Sequence, residues 1–378
     1  MMVTRRGVLK VAGVLAAGAV ITGAGTLCSN RRFSRIEPVV GGDKTFQEMY
    51  RTKAMDRLVK GVVDGDKFWS PSDVETYRSS FGDIGPYPEG LYQVAPDAFF
   101  AYRPIGSWDE SNHLVVNGKT GAVFVDLPAF PDLAYRMMPV YHYAGVWPES
   151  GQSTDIFVTH AHSDHWGSLP EYTDLGNAKV HITKEAYDTT KEFSPQAPLK
   201  FRKSGEMLQR LPLAKYRYAG RWGIARVGNS DFESLQPFPE VRSYLDTGDP
   251  IDIKPLTING VKVELFKLLG HSMSDLMVHF PDLGILAVGD LLMLGTTPIC
   301  WSGKVESLLT SLNLIKQMHP GIIVPGHGPI ADLGSVGRAI AYWEFFMEIV
   351  VGLLQMGLSP EEITRSLISR SDFVSNGY

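Results

Sequence analysis

The sequence predicts an α/β fold, a four-layer αβ/βα sandwich in which helices cover the outer faces of two packed sheets. Three observations predict it. From Gly90 onward, short runs rich in Val, Phe and Tyr alternate with Pro, Asn and Gly, the texture of successive strands. The order of strands, then a helix, then a strand ending in histidine occurs twice, which suggests two similar halves. Helical spacing in "VESLLTSLNLIKQM" and in the long "VGRAIAYWEFFMEIVVGLLQMG" supplies apolar-faced helices for the outside.

Composition limits the functional classes. A chain of 378 residues, 44% hydrophobic and 20% charged, can bury one large core or two smaller ones. Its net charge of -5 and pI near 6.1 give no basic excess for a phosphate backbone, so no nucleic acid partner is expected. Cys28 and Cys300 are too few for a disulfide framework or a thiolate zinc site. Any metal must rest on His, Asp or Glu.

Residues 1–30 read as a signal segment. "TRRGVLK", with Arg5 and Arg6 adjacent, Leu9 apolar and Lys10 closing, resembles the twin-arginine export motif, and a moderately apolar Gly/Ala-rich run follows it. This implies a periplasmic or secreted protein, with the twin-arginine translocase as its partner during export. Gly25, Thr26 and Leu27 do not make a lipobox, so no lipid anchor is expected at Cys28. Residues 31–88 read as a polar N-terminal extension with one helix around Thr45 to Val63.

The main domain is expected over residues 89–335. "LYQVAPDAFFAYRP", "SNHLVVNG" and "GAVFVDLP" read as antiparallel strands, a helix is expected near Leu133 to Tyr141, and "TDIFVTH" reads as an apolar strand. After "AKVHIT", Lys184 to about Asp252 shows no strong period, and about 190–252 is expected to form a lid or pocket wall. Strands return at "LTINGVKVELFKL", where Asn259 and Gly260 make a hairpin turn, and continue through "DLMVHF", "GILAVGD" and "GIIVPGHG". Residues 336–378 are expected to form C-terminal helices packed on the domain; the last opens with Ser359, Pro360 and Glu362 in capping order.

The chemistry concentrates in "FVTHAHSDHWGS", which places His160, His162, Asp164 and His165 directly after an apolar strand. Imidazole and carboxylate suit zinc. Three isolated signals join them: His271 in "LGHSMSD", Asp290 in "LAVGDLL" and His327 in "VPGHGP", each read as following a buried strand beside glycine. His113, His142, His181, His279 and His319 read as packing or surface residues, and Cys300 as a core thiol.

On these motifs, over about residues 90 to 335, the chain resembles the metallo-β-lactamase fold superfamily. His160, His162, Asp164 and His165 match its His-x-His-x-Asp-His pattern; His271, Asp290 and His327 match its later Gly-His, Gly-Asp and final Gly-His. The resemblance implies two Zn2+ per chain: one on His160, His162 and His271, the other on Asp164, His165 and His327, with Asp290 bridging. It implies that metal-bound hydroxide attacks a small-molecule ester, thioester or lactone, with Asp164 as the catalytic group that directs the nucleophile and carries a proton.

A bridging aspartate resembles the thioesterase, lactonase, sulfatase-like and phosphodiesterase branches and counts against β-lactamases. Alkylsulfatase or phosphodiesterase-like hydrolysis is the alternative, ahead of β-lactamase, iron dioxygenase or a non-catalytic metal-binding protein. Between Leu199 and Arg226, eight basic residues face one acidic residue, Glu206, among Phe201, Tyr216, Tyr218 and Trp222. Two readings are open there: a solvated face with rings packed beneath, or a pocket wall for an anionic, amphipathic substrate.

Overall fold

The computed structural model describes residues 38–40, 90–102, 111–146, 152–173, 178–192, 253–294 and 298–369, with isolated positions between 203 and 245. The expected signal segment 1–30 with Cys28, the helix around Thr45 to Val63, the rest of the extension apart from 38–40, and most of the insertion with its basic aromatic stretch lie outside the described residues.

The first sheet contains β1 (Pro38–Val40), β2 (Gly90–Ala95), β3 (Ala98–Tyr102), β4 (His113–Asn117), β5 (Gly121–Val125), β6 (Ser153–Phe157) and β7 (Ala178–His181), in that spatial order. Neighbours are antiparallel as far as β5, and β5, β6 and β7 run parallel. The second sheet follows the order β12 (Ile322–His327), β11 (Ile285–Met293), β10 (Asp275–Phe280), β9 (Val261–Leu268), β8 (Ile253–Ile258). Here β8 to β11 are antiparallel and β12 lies parallel to β11. Six helices complete the described fold: α1 (Pro131–Tyr143), α2 (Leu169–Thr173), α3 (Lys184–Glu192), α4 (Val305–Met318), α5 (Leu333–Gln355) and α6 (Pro360–Ser369).

The two expected halves are visible in the connections. A hairpin, a helix and a parallel strand appear as β4–β5–α1–β6 and again as β10–β11–α4–β12. A parallel neighbour requires such a crossover. Both units deliver histidine at the same stage: His160 shortly after β6 and His327 as the last residue of β12.

Strand periodicity builds three apolar layers. Along β5, Val123 and Val125 face Leu265, Leu276 and Val278 of the second sheet, while Ala122 and Phe124 turn outward to meet Met137 and Tyr141 of α1. Alternate residues take opposite faces, so a run apolar at every position marks a strand covered on both sides. On the far side, Met277, Leu286 and Val288 pack under Leu308, Leu312, Trp343 and Phe346 of α4 and α5. Helix, sheet, sheet, helix is the four-layer order the sequence predicts.

Local signals fall where expected. Asn259 and Gly260 take the left-handed conformation (φ 52° and 82°) that a two-residue hairpin loop requires. The Asn259 amide also donates to Ala122 O (3.2 Å) and Asp155 Oδ2 (2.9 Å), joining the sheets at the end of β5 away from Asp126. At α6 the capping is reciprocal: Ser359 N–H donates to Glu362 Oε2 (2.8 Å) and Glu362 N–H to Ser359 Oγ (3.3 Å).

Two expectations are corrected. The stretch read as lacking a period from Lys184 begins with α3, a largely charged helix in which, over 184–191, Ala186, Tyr187 and Thr190 are the buried residues. That stripe is too narrow to show as periodicity; the Thr183 hydroxyl accepts from Ala186 N–H (3.2 Å) to start the helix. Asp290 does not follow its strand, because β11 continues to Met293. The register shifts at Gly289, which has φ 51°, and this local break accompanies the placing of Asp290 in the site.

Candidate metal centre

Thr159 and His160 follow β6 on a backbone fixed from three directions. Val158 N–H donates to His181 O (3.0 Å), Leu276 N–H to Thr159 O (2.7 Å), and Thr159 N–H to Asp126 Oδ1 (2.8 Å). His162 is extended (φ −75°, ψ 136°), and Ser163–His165 then makes one 3-10 turn. Trp166 closes the motif: its buried indole donates to Ala161 O at 2.9 Å, and Phe238 from the insertion packs on its ring at 4.9 Å. The other three residues come from the second sheet: His271 just after β9, Asp290 within β11 and His327 at the end of β12.

All seven residues singled out in the sequence meet at this end of the sandwich, in two groups of side chains that could hold a metal ion. One is His160, His162, His271 and Asp290; the other is Asp164, His165 and His327. In the first, His162 Nδ1 lies 3.0 Å from His160 Nε2 and 2.9 Å from His271 Nε2. In the second, Asp164 Oδ2 lies 3.6 Å from His165 Nε2 and 3.4 Å from His327 Nε2. Asp290 spans both. Its Oδ2 is 3.8 Å from His160 Nε2 and 3.3 Å from His271 Nε2, while its Oδ1 is 3.2 Å from His165 Nε2 and 3.3 Å from His327 Nε2.

These atoms fit metal ions better than they fit one another. Ligands on a tetrahedral zinc at about 2.0–2.1 Å stand about 3.3 Å apart, close to the spacing here. Burial, followed by neighbouring imidazoles, lowers the His160 pKa well below its usual value; burial and then His271 bring His162 down to about 3. Both are therefore neutral, the form that ligates. His165 Nε2 and Asp290 Oδ1 are buried 3.2 Å apart, and neither makes a well-formed hydrogen bond. Burial opposes a charge on His165 and His327, but Asp290 and its neighbouring carboxylates outweigh it, raising His165 well above its usual value and His327 to about 10. Positive charge thus collects where a divalent cation would lie.

A further set of side chains fixes the ring orientations. His160 Nδ1–H donates to Thr159 Oγ1 (3.0 Å), whose hydroxyl donates to Asp126 Oδ2 (2.8 Å). His165 Nδ1–H donates to the same Asp126 oxygen at 2.8 Å. His271 Nδ1–H donates to Ile299 O at 2.6 Å. Each ring thereby turns Nε2 inward, as outer partners of metal-bound histidines do. One buried aspartate serves a histidine from each group. The sequence reading missed Asp126 and Thr159; the available signal was the Asp closing "GAVFVDLP" after a buried strand. Gly289 admits this packing, since a Cβ there would fall 2.7 Å from Thr159 Oγ1.

Trp301 was also missed. It is exposed, its ring lies 5.6 Å from His162, and its main-chain N–H donates to His271 O at 2.8 Å. The remaining histidines take other roles: His113 bonds Tyr141, His181 pairs with Asp155 (2.7 Å), His279 pairs with Glu264 (2.8 Å), and His319 is the left-handed cap of α4. His142 lies in α1. Cys300 is buried, and burial pushes its thiol up to about 12.

Comparison with known proteins finds similarity over this part of the chain. The profile described as the metallo-beta-lactamase superfamily matches residues 152–327, a span holding all seven residues. The metallo-beta-lactamase type 2 of Bacillus cereus is 23% identical, across 59% of this chain and 69% of its own. Among solved structures, the metallo-beta-lactamase from Pontibacter korlensis is 17% identical with a TM-score of 0.46, covering 67% of this chain and 98% of that one. The FIM-1 enzyme of Pseudomonas aeruginosa, in its mono-zinc form, gives 14% and 0.47, covering 68% and 95%. Residues 152–327 are thus similar to the metallo-beta-lactamase superfamily, whose homologues are metal-dependent hydrolases, and the two packed sheets with their outer helices have the metallo-β-lactamase fold.

Proposed function

We propose that the protein is a dinuclear zinc hydrolase acting on an ester, thioester or lactone. The observation that carries this reading is Asp290, whose two oxygens face separate histidine pairs at 3.2 to 3.8 Å. Zinc held there would supply Lewis acidity, polarising the scissile group and lowering the pKa of water.

The chain's own residues supply the rest. Asp164 is the more open carboxylate, its side chain 15% exposed against 4% for Asp290, so it can meet water and substrate. There it accepts a proton and returns it to the leaving group, while His165 and His327 hold the carboxylate in place. Trp301 offers an apolar surface at the rim for the acyl or ring portion.

The test is hydrolysis by the zinc-loaded full chain of chromogenic esters, thioesters, lactones, sulfates, phosphodiesters and a cephalosporin. Turnover is expected within the first three classes and should disappear on chelation. Turnover confined to the sulfate, phosphodiester or cephalosporin would contradict the substrate assignment.

A further inference from the structure

The segment entering β4 contains two buried polar residues whose bonds reach the candidate metal centre from behind. Asn112 is 2% exposed and crosses from the first sheet to the end of β12. Its Nδ2 donates to Pro325 O (3.1 Å) and Gly328 O (2.7 Å), and its main-chain N–H donates to Gly326 O (2.7 Å). These carbonyls flank His327 on both sides.

The clamped segment has little stiffness of its own. His327 lies between two glycines, Gly328 has φ 88°, and Gly326 passes so near Asp290 that a Cβ would fall 2.0 Å from Oδ1. A backbone this permissive needs external bonds to hold one conformation. Asn112 supplies three of them, beside the bond from Leu294 N–H to His327 O (3.0 Å). The preceding residue, Ser111, is also buried, and its hydroxyl donates to Asp164 O. Two adjacent residues therefore secure the backbone at two of the three members of the second group. In the first group, His160 and His271 are oriented through Thr159 and Ile299 O instead.

We propose that Ser111 and Asn112 form a positioning pair that sets metal affinity at the Asp164–His165–His327 subsite separately from the three-histidine subsite. The inference rests on the dinuclear reading. Neither residue touches metal or substrate; each acts through the backbone that carries a ligand.

Metal-free full chain is titrated with zinc against a chromogenic chelator, so activity is not needed. Wild type should take up two equivalents. Asn112→Ala should retain the first with near wild-type affinity and bind the second about 10–100-fold more weakly, the range expected when an outer partner is lost. Raising free zinc should restore the second equivalent. Ser111→Ala removes one bond and should shift the second equivalent in the same direction, which keeps the test open if Asn112→Ala does not fold. Asn259→Gly is the control: it deletes another cross-sheet amide, remote from the site, and suits a positive φ. It should lower thermal stability while leaving both affinities unchanged.

An unchanged second equivalent in both Ser111→Ala and Asn112→Ala would overturn the proposal, as would parallel weakening of both equivalents or an equal shift in Asn259→Gly. A wild type that binds one ion would end the dinuclear reading and this inference with it.

Discussion

Asp290→Ala is expected to strip metal from both subsites and abolish turnover. The carboxylate is buried, and Gly326 packs against it. In the metal-free protein burial disfavours its charge, but His327, His165 and His271 outweigh that and hold its pKa well below the carboxylate range. Alanine leaves His160 and His271 without the Asp290 anion on one side, and His165 and His327 with Asp164 alone on the other. The loss of zinc affinity should exceed the about 10–100-fold associated with outer partners. Elemental analysis, with circular dichroism to establish folding, checks this. A folded Asp290→Ala protein that retains two ions would show that the carboxylate does not bridge.

Asp164→Asn should have the opposite profile, with most of the metal retained and turnover per bound metal lowered about 10²- to 10⁴-fold. The amide keeps an oxygen towards His165 and His327 but is a poor proton acceptor. Asp164 is suited to that role because it is more open than Asp290, and its main-chain carbonyl is held by Ser111 whichever side chain is present. Turnover per bound metal equal to wild type would leave Asp164 as a ligand without a proton-transfer role.

The contrast between these aspartates shows which features the sequence reveals. Asp164 lies among three histidines within six positions, and His271, Asp290 and His327 each follow a glycine, so the metal-binding pattern is local. The layers were similarly legible, because the continuous apolar run of β5 and the apolar stripes of α4 and α5 are properties of short windows. What supports the ligands is not local. Asp126 meets Thr159 and His165 because β5 and β6 pair in parallel, with Val125 opposite Phe157. Asn112 meets carbonyls more than 200 positions away. No spacing rule connects such residues; the register of two sheets does. The placement of Asp290 within β11 was misread because its strand continues past the break at Gly289, whereas the glycine itself was visible.

The central claim is that the two side-chain groups hold two ions shared through Asp290. Elemental analysis of the full chain, folded with zinc and freed of excess metal, tests it most directly. The account predicts about two equivalents of zinc per chain; one equivalent, or iron in place of zinc, would contradict it.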